Sequence, residues 1–339
     1  MKKIELPRII IKEEGAALQL GEVLLELKKR NPLIVARQNG RKILGEKLSQ
    51  EFNIPIEGIS NATIGESKAL EEKAQIQKYD ILIAIGGGTA IDCCKLASFN
   101  SQIEFISIPT SLSHDGMASP ISSVSSNNEK MSIPCKPPIA VLCDLEILKN
   151  SPKKLLCAGI GDAISNYTAV LDWKIGAKNG EEYGEYAAAL SSLCAARIIR
   201  NAKKMAKDEK IATNILAESL IASGAAMSIA GSSRPASGAE HQFSHALDKL
   251  LERPALHGEQ CGIGTILMAK LHGKNWKKIR ETLKIFGAPT TAKELETPRE
   301  KIIEALTIAH RIRNRTTILG INGLSEKAAE SLAIETGVI

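Results

Sequence analysis

The residues best able to do chemistry fall in two places along the 339-residue chain. One is histidine-rich: three of the six histidines, His241, His245 and His257, lie within seventeen residues. His241 and His245 are spaced i, i+4, which puts both imidazoles on one face of a helix. Ser237-Gly238-Ala239-Glu240 has the spacing of a capping box, so that helix is expected to start at Ser237. Arg253-Pro254 then breaks the chain, and His257 opens the next helix. Imidazoles so placed can bind zinc but need at least a third ligand. Asp162, in Gly159-Ile160-Gly161-Asp162, offers a carboxylate expected at the start of an earlier helix. The alternative is a set of core or capping histidines.

The other place is rich in glycine and hydroxyls. Asp80-Ile81-Leu82-Ile83-Ala84-Ile85 is an apolar strand that runs straight into Gly86-Gly87-Gly88, and a helix is expected from about Thr89. Glycines admit a close backbone approach, and a helix N-terminus offers free N–H groups and a positive dipole end, so this layout suits a phosphate. It is neither a GxGxxG fingerprint nor a P-loop, and a plain tight turn is the alternative. Asp92 is expected in the first helical turn, with Lys95 after it; a solvated, helix-stabilising role is the alternative for both. Thr110-Ser111-Leu112-Ser113-His114-Asp115-Gly116-Met117-Ala118-Ser119-Pro120 follows another strand, Phe105 to Ile108. Strand ends are where open α/β sheets place ligands. Arg37 stands at a third strand end, where it could meet a 2′-phosphate or simply face solvent.

The elements that must position these groups divide the chain. Residues 1–150 alternate short apolar strands with helical stretches, Arg41 to Phe52 and Ser67 to Lys78 among them, which implies parallel βαβ units in a Rossmann-like nucleotide-binding domain. Ser122 to Pro138, with Asn127-Asn128 at its turn, reads as a hairpin and surface loop. From Ser151-Pro152 onward helical periodicity dominates, so residues 151–339 are expected to form an all-α metal- and substrate-binding domain. Within it the helix Asn214 to Ala230 carries the small residues Gly224-Ala225-Ala226, which allow close packing.

Composition narrows the function classes. Hydrophobic residues are 44% and charged residues 24%, as in ordinary globular proteins, while aromatics are only 3%. That scarcity, with a net charge of only +6 and no basic run, argues against a nucleic-acid partner. No stretch reaches the roughly 18 apolar residues of a membrane span, and Met1-Lys2-Lys3-Ile4-Glu5-Leu6-Pro7-Arg8 lacks the apolar core of a signal peptide. Seven irregularly spaced cysteines without a CxxC pair suit reduced thiols. A cytoplasmic location is expected.

Together the motifs resemble the iron-containing alcohol dehydrogenase and dehydroquinate synthase superfamily, whose pattern is GGGxxxD, then Asp, then HxxxH, then a later His. Here these are Gly86-Gly87-Gly88 with Asp92, then Asp162, then His241 and His245, then His257. The match is closest to the sn-glycerol-1-phosphate dehydrogenases, on the stretches 109–120 and 231–241, and it covers essentially the whole chain. The resemblance implies a dehydroquinate synthase-like fold and NADPH- or NADH-dependent reduction of dihydroxyacetone phosphate, supplying the glycerophosphate backbone of ether lipids. It implies one Zn²⁺ per subunit on Asp162, His241 and His257. It places Asp115 and His245 on substrate, and Gly88, Thr89, Ala90, Ile91, Asp92, Thr110, Ser111, Leu112, Ser113 and Ser119 on the cofactor; the glycine turn and strand-end readings add Gly86, Gly87 and Arg37 to the cofactor set, and Asp162 is a substrate candidate as well as a metal ligand. Iron-dependent relatives carry a further histidine four residues after the aspartate, where this chain has Asn166, so zinc with an open position is expected. For the substrate phosphate, Arg234 with Ser232 or Ser233 is a candidate; bracing the loop is its alternative. A homo-oligomer is expected, its size left open. Glycerol dehydrogenase, the lyase dehydroquinate synthase and a non-catalytic nucleotide- or metal-binding protein are the rival readings.

Overall fold

A computed structural model describes residues 3–126 and 129–339. The chain divides into two compact units, 1–152 and 153–339. Met1, Lys2 and the Asn127-Asn128 turn lie outside the described residues.

The first unit is built on a parallel sheet of six strands: β1 (Ile9–Glu13), β2 (Pro32–Arg37), β3 (Ile56–Ile59), β4 (Ile81–Gly86), β5 (Glu104–Pro109) and β8 (Ala140–Asp144). Their spatial order is β1-β8-β5-β4-β2-β3. β6 (Ile121–Ser126) and β7 (Glu129–Pro134) form the expected antiparallel pair. The helices are α1 (Leu20–Glu26), α2 (Gln38–Gly40), α3 (Glu46–Phe52), α4 (Ile64–Ile76), α5 (Gly88–Ser101) and α6 (Leu145–Lys149). β4 is buried at every residue, because its neighbours β2 and β5 leave it no edge and helices cover the sheet. Each fully buried isoleucine contributes roughly 1.5–3 kcal/mol, so Ile81, Ile83 and Ile85 anchor the turn that follows them.

Two boundaries differ from expectation. The helix expected from Arg41 begins at Gln38 and passes through a π-helical turn, Arg41–Gly45, into α3. Gly40 sits so close to β4 that a Cβ there would lie 2.5 Å from the Ile85 carbonyl oxygen. α4 starts at Ile64 rather than Ser67, because Thr63 Oγ1 accepts from the Glu66 amide while the Glu66 carboxylate accepts from the amides of Ser60 and Asn61.

The second unit is helical throughout its described elements: α7 (Lys153–Lys178), α8 (Glu185–Met205), α9 (Glu209–Ala230), α10 (Ala239–Leu250), α11 (His257–Leu271), α12 (Trp276–Phe286), α13 (Arg299–Ile308) and α14 (Glu326–Glu335). α7 and α11 cross at glycines. A Cβ on Gly258 would lie 1.9 Å from the Ala158 carbonyl oxygen, and one on Gly161 would lie 2.1 Å from that of Gly258. No larger residue fits either position, and the backbones touch where Asp162 and His257 stand. No helix among the described residues is long and apolar enough to cross a membrane. All seven cysteines are free thiols.

Candidate metal centre and glycine turn

α10 starts at Ala239, two residues later than the sequence suggests, and Ser237 does not cap it. The helix's first amides are taken by carboxylates instead. Asp172, from α7, accepts from Ala239 N at 2.7 Å, and Glu240 accepts from Gly238 N. A buried tertiary carboxyl has outcompeted the local hydroxyl by placing an acceptor oxygen against the free amides of the helix start. Asp172 also accepts from Ile318 N at 2.7 Å and pairs with His272 Nε2 at 2.9 Å, so it ties four segments together.

His241 and His245 project from α10 and His257 from the first position of α11. Their rings converge, with centroids 4.9 Å apart for His241 and His257 and 5.6 Å for His245 and His257. Asp162 arrives from the third turn of α7, whose first residue is Lys153, rather than from a helix start. Its preceding glycines serve the crossing with α11, not a helix entrance. Asp162 Oδ1 lies 3.8 Å from His241 Nε2 and 3.8 Å from His257 Nε2. Cys261, one turn beyond His257, completes a group whose ligand atoms all lie within 4.8 Å of one another.

Partners behind the histidines orient them for a metal. Glu240 Oε1 accepts from His241 Nδ1 at 2.9 Å, leaving the Nε2 lone pair aimed at Asp162. Burial pushes the Glu240 carboxyl up, but His241, the Gly238 amide and the Thr168 hydroxyl together outweigh it and hold the group below its usual range. Ser244 donates its single proton to Gln260 Oε1, so its oxygen accepts from His257 Nδ1 at 3.0 Å. Both imidazoles therefore present Nε2 to one point. One carboxylate, two oriented imidazoles and a thiol are a donor set that fits a divalent ion.

His245 differs. Burial, only partly offset by Asp248, pushes its pKa down to about 4, and the Arg313 guanidinium donates to its Nε2 at 3.0 Å. It is a neutral ring beside the cluster. Arg313 escaped the sequence reading; the alternation Arg311, Arg313, Arg315 was its one signal. Arg313 and Arg315 both reach Ser237, through its hydroxyl and carbonyl. Arg234, the phosphate candidate, is buried and turned elsewhere. It forms an ion pair with Glu181, Nε to Oε2 at 2.7 Å, and donates to the Thr316 carbonyl. Its visible work is to hold the loop before α10.

In the first unit the glycine turn follows β4 directly. Gly86 has φ +147°, a conformation that side chains rarely adopt, and Gly87 caps α5 without a side-chain oxygen. Ala90 N donates to the Gly87 carbonyl at 3.1 Å, so within the first turn it is the Gly88 and Thr89 amides that face an approaching ligand. The 110–119 segment wraps this end: Thr110 N donates to the Gly86 carbonyl, Ser111 lies against Gly87, and the His114 ring lies against Gly88. Register pairs Ala36 with Ile85, so Arg37, exposed, stands beside the same turn. β2 and β4 are adjacent strands from which the chain runs outward in opposite directions, the switch point at which doubly wound sheets bind ligands.

Asp92 lies in the second turn of α5, not the first, because the helix begins at Gly88. Neither Asp92 nor Lys95 is solvated. Lys95 is fully buried and donates to the Gly116 and Ile121 carbonyls at 2.7 Å each, with Ser119 Oγ at 3.4 Å and Asp92 Oδ1 at 3.5 Å. It staples the 116–121 segment to α5. Ala90, Ile91 and Leu112 turn their side chains into the core, so a ligand could meet only their backbone. Thr89, Ser113 and Asp115 are half-buried, and Asp115 opens a short 3₁₀ turn, Asp115–Met117.

Residues 11–152 match the family model for iron-containing alcohol dehydrogenases. The chain is 52% identical over 350 residues to a glycerol-1-phosphate dehydrogenase [NAD(P)+] of Pyrococcus abyssi, covering the whole of both chains. It is 47% identical to one of Methanosarcina mazei, covering all of this chain and 97% of that one. Among solved structures, a probable glycerol dehydrogenase from Sinorhizobium meliloti superposes with a TM-score of 0.82 at 20% identity, covering 99% of this chain and 98% of that one. The glycerol dehydrogenase of Schizosaccharomyces pombe gives 0.79 at 17%, covering 99% and 92%. At such identities these two establish the fold alone, whereas the near-complete match at about half identity establishes kinship: the chain belongs to the glycerol-1-phosphate dehydrogenase family.

Proposed function

We propose that this chain reduces dihydroxyacetone phosphate to sn-glycerol 1-phosphate with NADPH or NADH, with zinc held by Asp162, His241 and His257. The observation that carries the proposal is the convergence of Asp162 Oδ1 with two imidazole Nε2 atoms, 3.8 Å from each. Zinc, when bound, supplies Lewis acidity at the ketone oxygen, and the nicotinamide supplies the hydride.

The chain's own residues do the rest. Glu240 and Ser244 keep both imidazoles in the metal-facing tautomer. His245 stays neutral across the working pH range, so it adds a polar wall without competing positive charge. Arg313 brings a permanent cation next to that wall. With Arg234 committed to Glu181, we assign the substrate phosphate to Arg313, since guanidinium is suited to phosphate. The Gly86-Gly87-Gly88 turn and the N-terminus of α5 would receive the dinucleotide's pyrophosphate, and Arg37 the 2′-phosphate of NADPH.

The test follows NADPH and NADH absorbance with dihydroxyacetone phosphate and with unphosphorylated dihydroxyacetone, with and without a chelator. Chelator-sensitive oxidation that prefers the phosphorylated ketone is expected. Absence of oxidation by zinc-replete protein would falsify the reductase assignment; equal use of both ketones would remove the phosphate site.

A further inference from the structure

The segment between α13 and α14 gathers positive charge that the metal centre does not use. His310, Arg311, Arg313 and Arg315 line one cavity of about 450 Å³ with Asn314 and Asn322, and none of the described residues lining it is a carboxylate. Arg315 donates to the Ser237 carbonyl and to Ser233 Oγ at 2.9 Å, both neutral acceptors. Arg313 donates to the Ser237 hydroxyl at 3.4 Å and stands 3.0 Å from His245 Nε2. The two guanidiniums therefore meet at one residue, Ser237, just ahead of α10.

The carboxylates that act on Arg315 are already engaged. Glu181 accepts from Arg234 Nε at 2.7 Å and from Thr316 N at 3.2 Å, and Glu240 accepts from His241, Thr168 and the Gly238 amide. Burial, with the Arg313 and Arg234 guanidiniums beside it, pushes the Arg315 pKa down to about 10. Arg315 stays charged at neutral pH, half-buried and crowded by like charge. An anion placed among such cations relieves the crowding. The donors select its chemistry. One guanidinium fork matches the two oxygens of a carboxylate. A phosphate monoester has three terminal oxygens and carries roughly −1.5 to −2 charge at neutral pH, so it can engage two forks at once. A neutral polyol offers neither the charge nor the geometry.

We propose that Arg313 and Arg315 together bind the phosphate of the ketone substrate, and that Arg315 sets the preference for the phosphorylated over the neutral ketone. The proposal rests on the reductase reading above and adds a second guanidinium to Arg313. Arg313 touches His245, whose ring centre is 5.6 Å from that of His257. A phosphate held there leaves the carbonyl of a three-carbon ketone within reach of the histidine cluster.

The experiment compares the unaltered zinc-loaded chain with Arg315→Gln and Arg315→Lys, on dihydroxyacetone phosphate and on dihydroxyacetone at saturating NADH. In Arg315→Gln, kcat/KM for the phosphorylated ketone should fall about tenfold or more relative to that for the neutral one, the loss lying in KM. Arg315→Lys should recover part of it, restoring the charge without the fork. Inorganic phosphate should compete with dihydroxyacetone phosphate in the unaltered chain. Its binding, followed by calorimetry at saturating NADH, should weaken by a similar factor in Arg315→Gln. An unchanged preference, or an equal loss on both ketones, means that Arg315 only braces the loop before α10; it overturns the proposal and leaves the reductase reading standing. Phosphate that binds without competing sits elsewhere and overturns it too. Turnover of neither ketone by the unaltered chain overturns both readings. Where Arg315→Gln does not fold, the competition test and Arg315→Lys decide.

Discussion

Around the glycine turn of the first unit, the surface offered to a ligand is mostly backbone. Gly86, Gly87 and Gly88 contribute no side chains, Ala90, Ile91 and Leu112 point into the core, and the buried Lys95 serves to pin the neighbouring loop. In the second unit side chains make the centre: a carboxylate, three imidazoles and a thiol from three helices, with Glu240, Ser244 and Gln260 behind them. The contrast teaches where each region is vulnerable. A backbone site is robust to most side-chain changes and fails when the chain path changes. A side-chain site fails atom by atom, and also when its helices are forced apart.

Four substitutions or conditions sharpen that contrast. The largest effect is expected from His257→Ala, which removes a donor and should lower kcat by roughly 10²–10³-fold while NADPH binding, measured by calorimetry, stays within about twofold. Loss of nucleotide binding in parallel would show that the two regions are not separable. Next is Gly258→Ala, which touches no ligand. Its methyl group would meet the Ala158 carbonyl, and forcing α7 from α11 should cost about 1–3 kcal/mol of stability or more. Zinc affinity should fall with it; unchanged melting and unchanged zinc binding would refute the tight crossing.

Arg37→Ala is the counterpart in the first unit. It should raise the KM for NADPH about tenfold, or ~1.4 kcal/mol, and leave NADH unaffected, because only the 2′-phosphate is lost. Equal effects on both coenzymes would remove the assignment. The smallest effect concerns pH. Burial pushes the Glu181 carboxyl up, but Arg234 and Thr316 outweigh it and hold it below its usual value near 4.5. A carboxyl depressed in the folded state stabilises above the unfolded-state pKa, and that contribution fades as pH falls through the folded one. Melting temperature should therefore drop below about pH 4.5, and Glu181→Gln should flatten part of that slope. An unaltered slope would mean that the pair contributes nothing measurable.

Much of the first unit was legible because its signals are local. An unbroken apolar run into three glycines is a strand and turn whatever surrounds it, and β4 and α5 lie where that pattern puts them. The edge strand β1 and the short β8 also carry apolar runs, Ile9-Ile10-Ile11 and Ile139 to Cys143, but no glycine turn or helical stretch marked them, and their place in the sheet came from pairing with each other and with β5. In the second unit the i, i+4 histidines and the break before His257 were equally plain. Asp162 was legible as a residue and not as a position: glycines before an aspartate read as a helix start, whereas here they admit a neighbouring helix. Ser237 was misread for a related reason. A capping box is a local rule, and Asp172, 67 residues away in sequence, supplied a stronger acceptor.

The amino-acid sequence by itself determined the order of the chemical parts, the alternation that makes a parallel sheet, and the helical spacing of His241 and His245, since periodicity and turn chemistry act over a few residues. Tertiary structure alone decided that Cys261 sits against His257 and within reach of Asp162, that Glu240 and Ser244 set the imidazole tautomers, and that Arg313 rather than Arg234 lies beside the histidines. Those outcomes depend on which helix faces meet and how closely. That is settled by packing across the whole unit, with Gly161 and Gly258 admitting the closest approach.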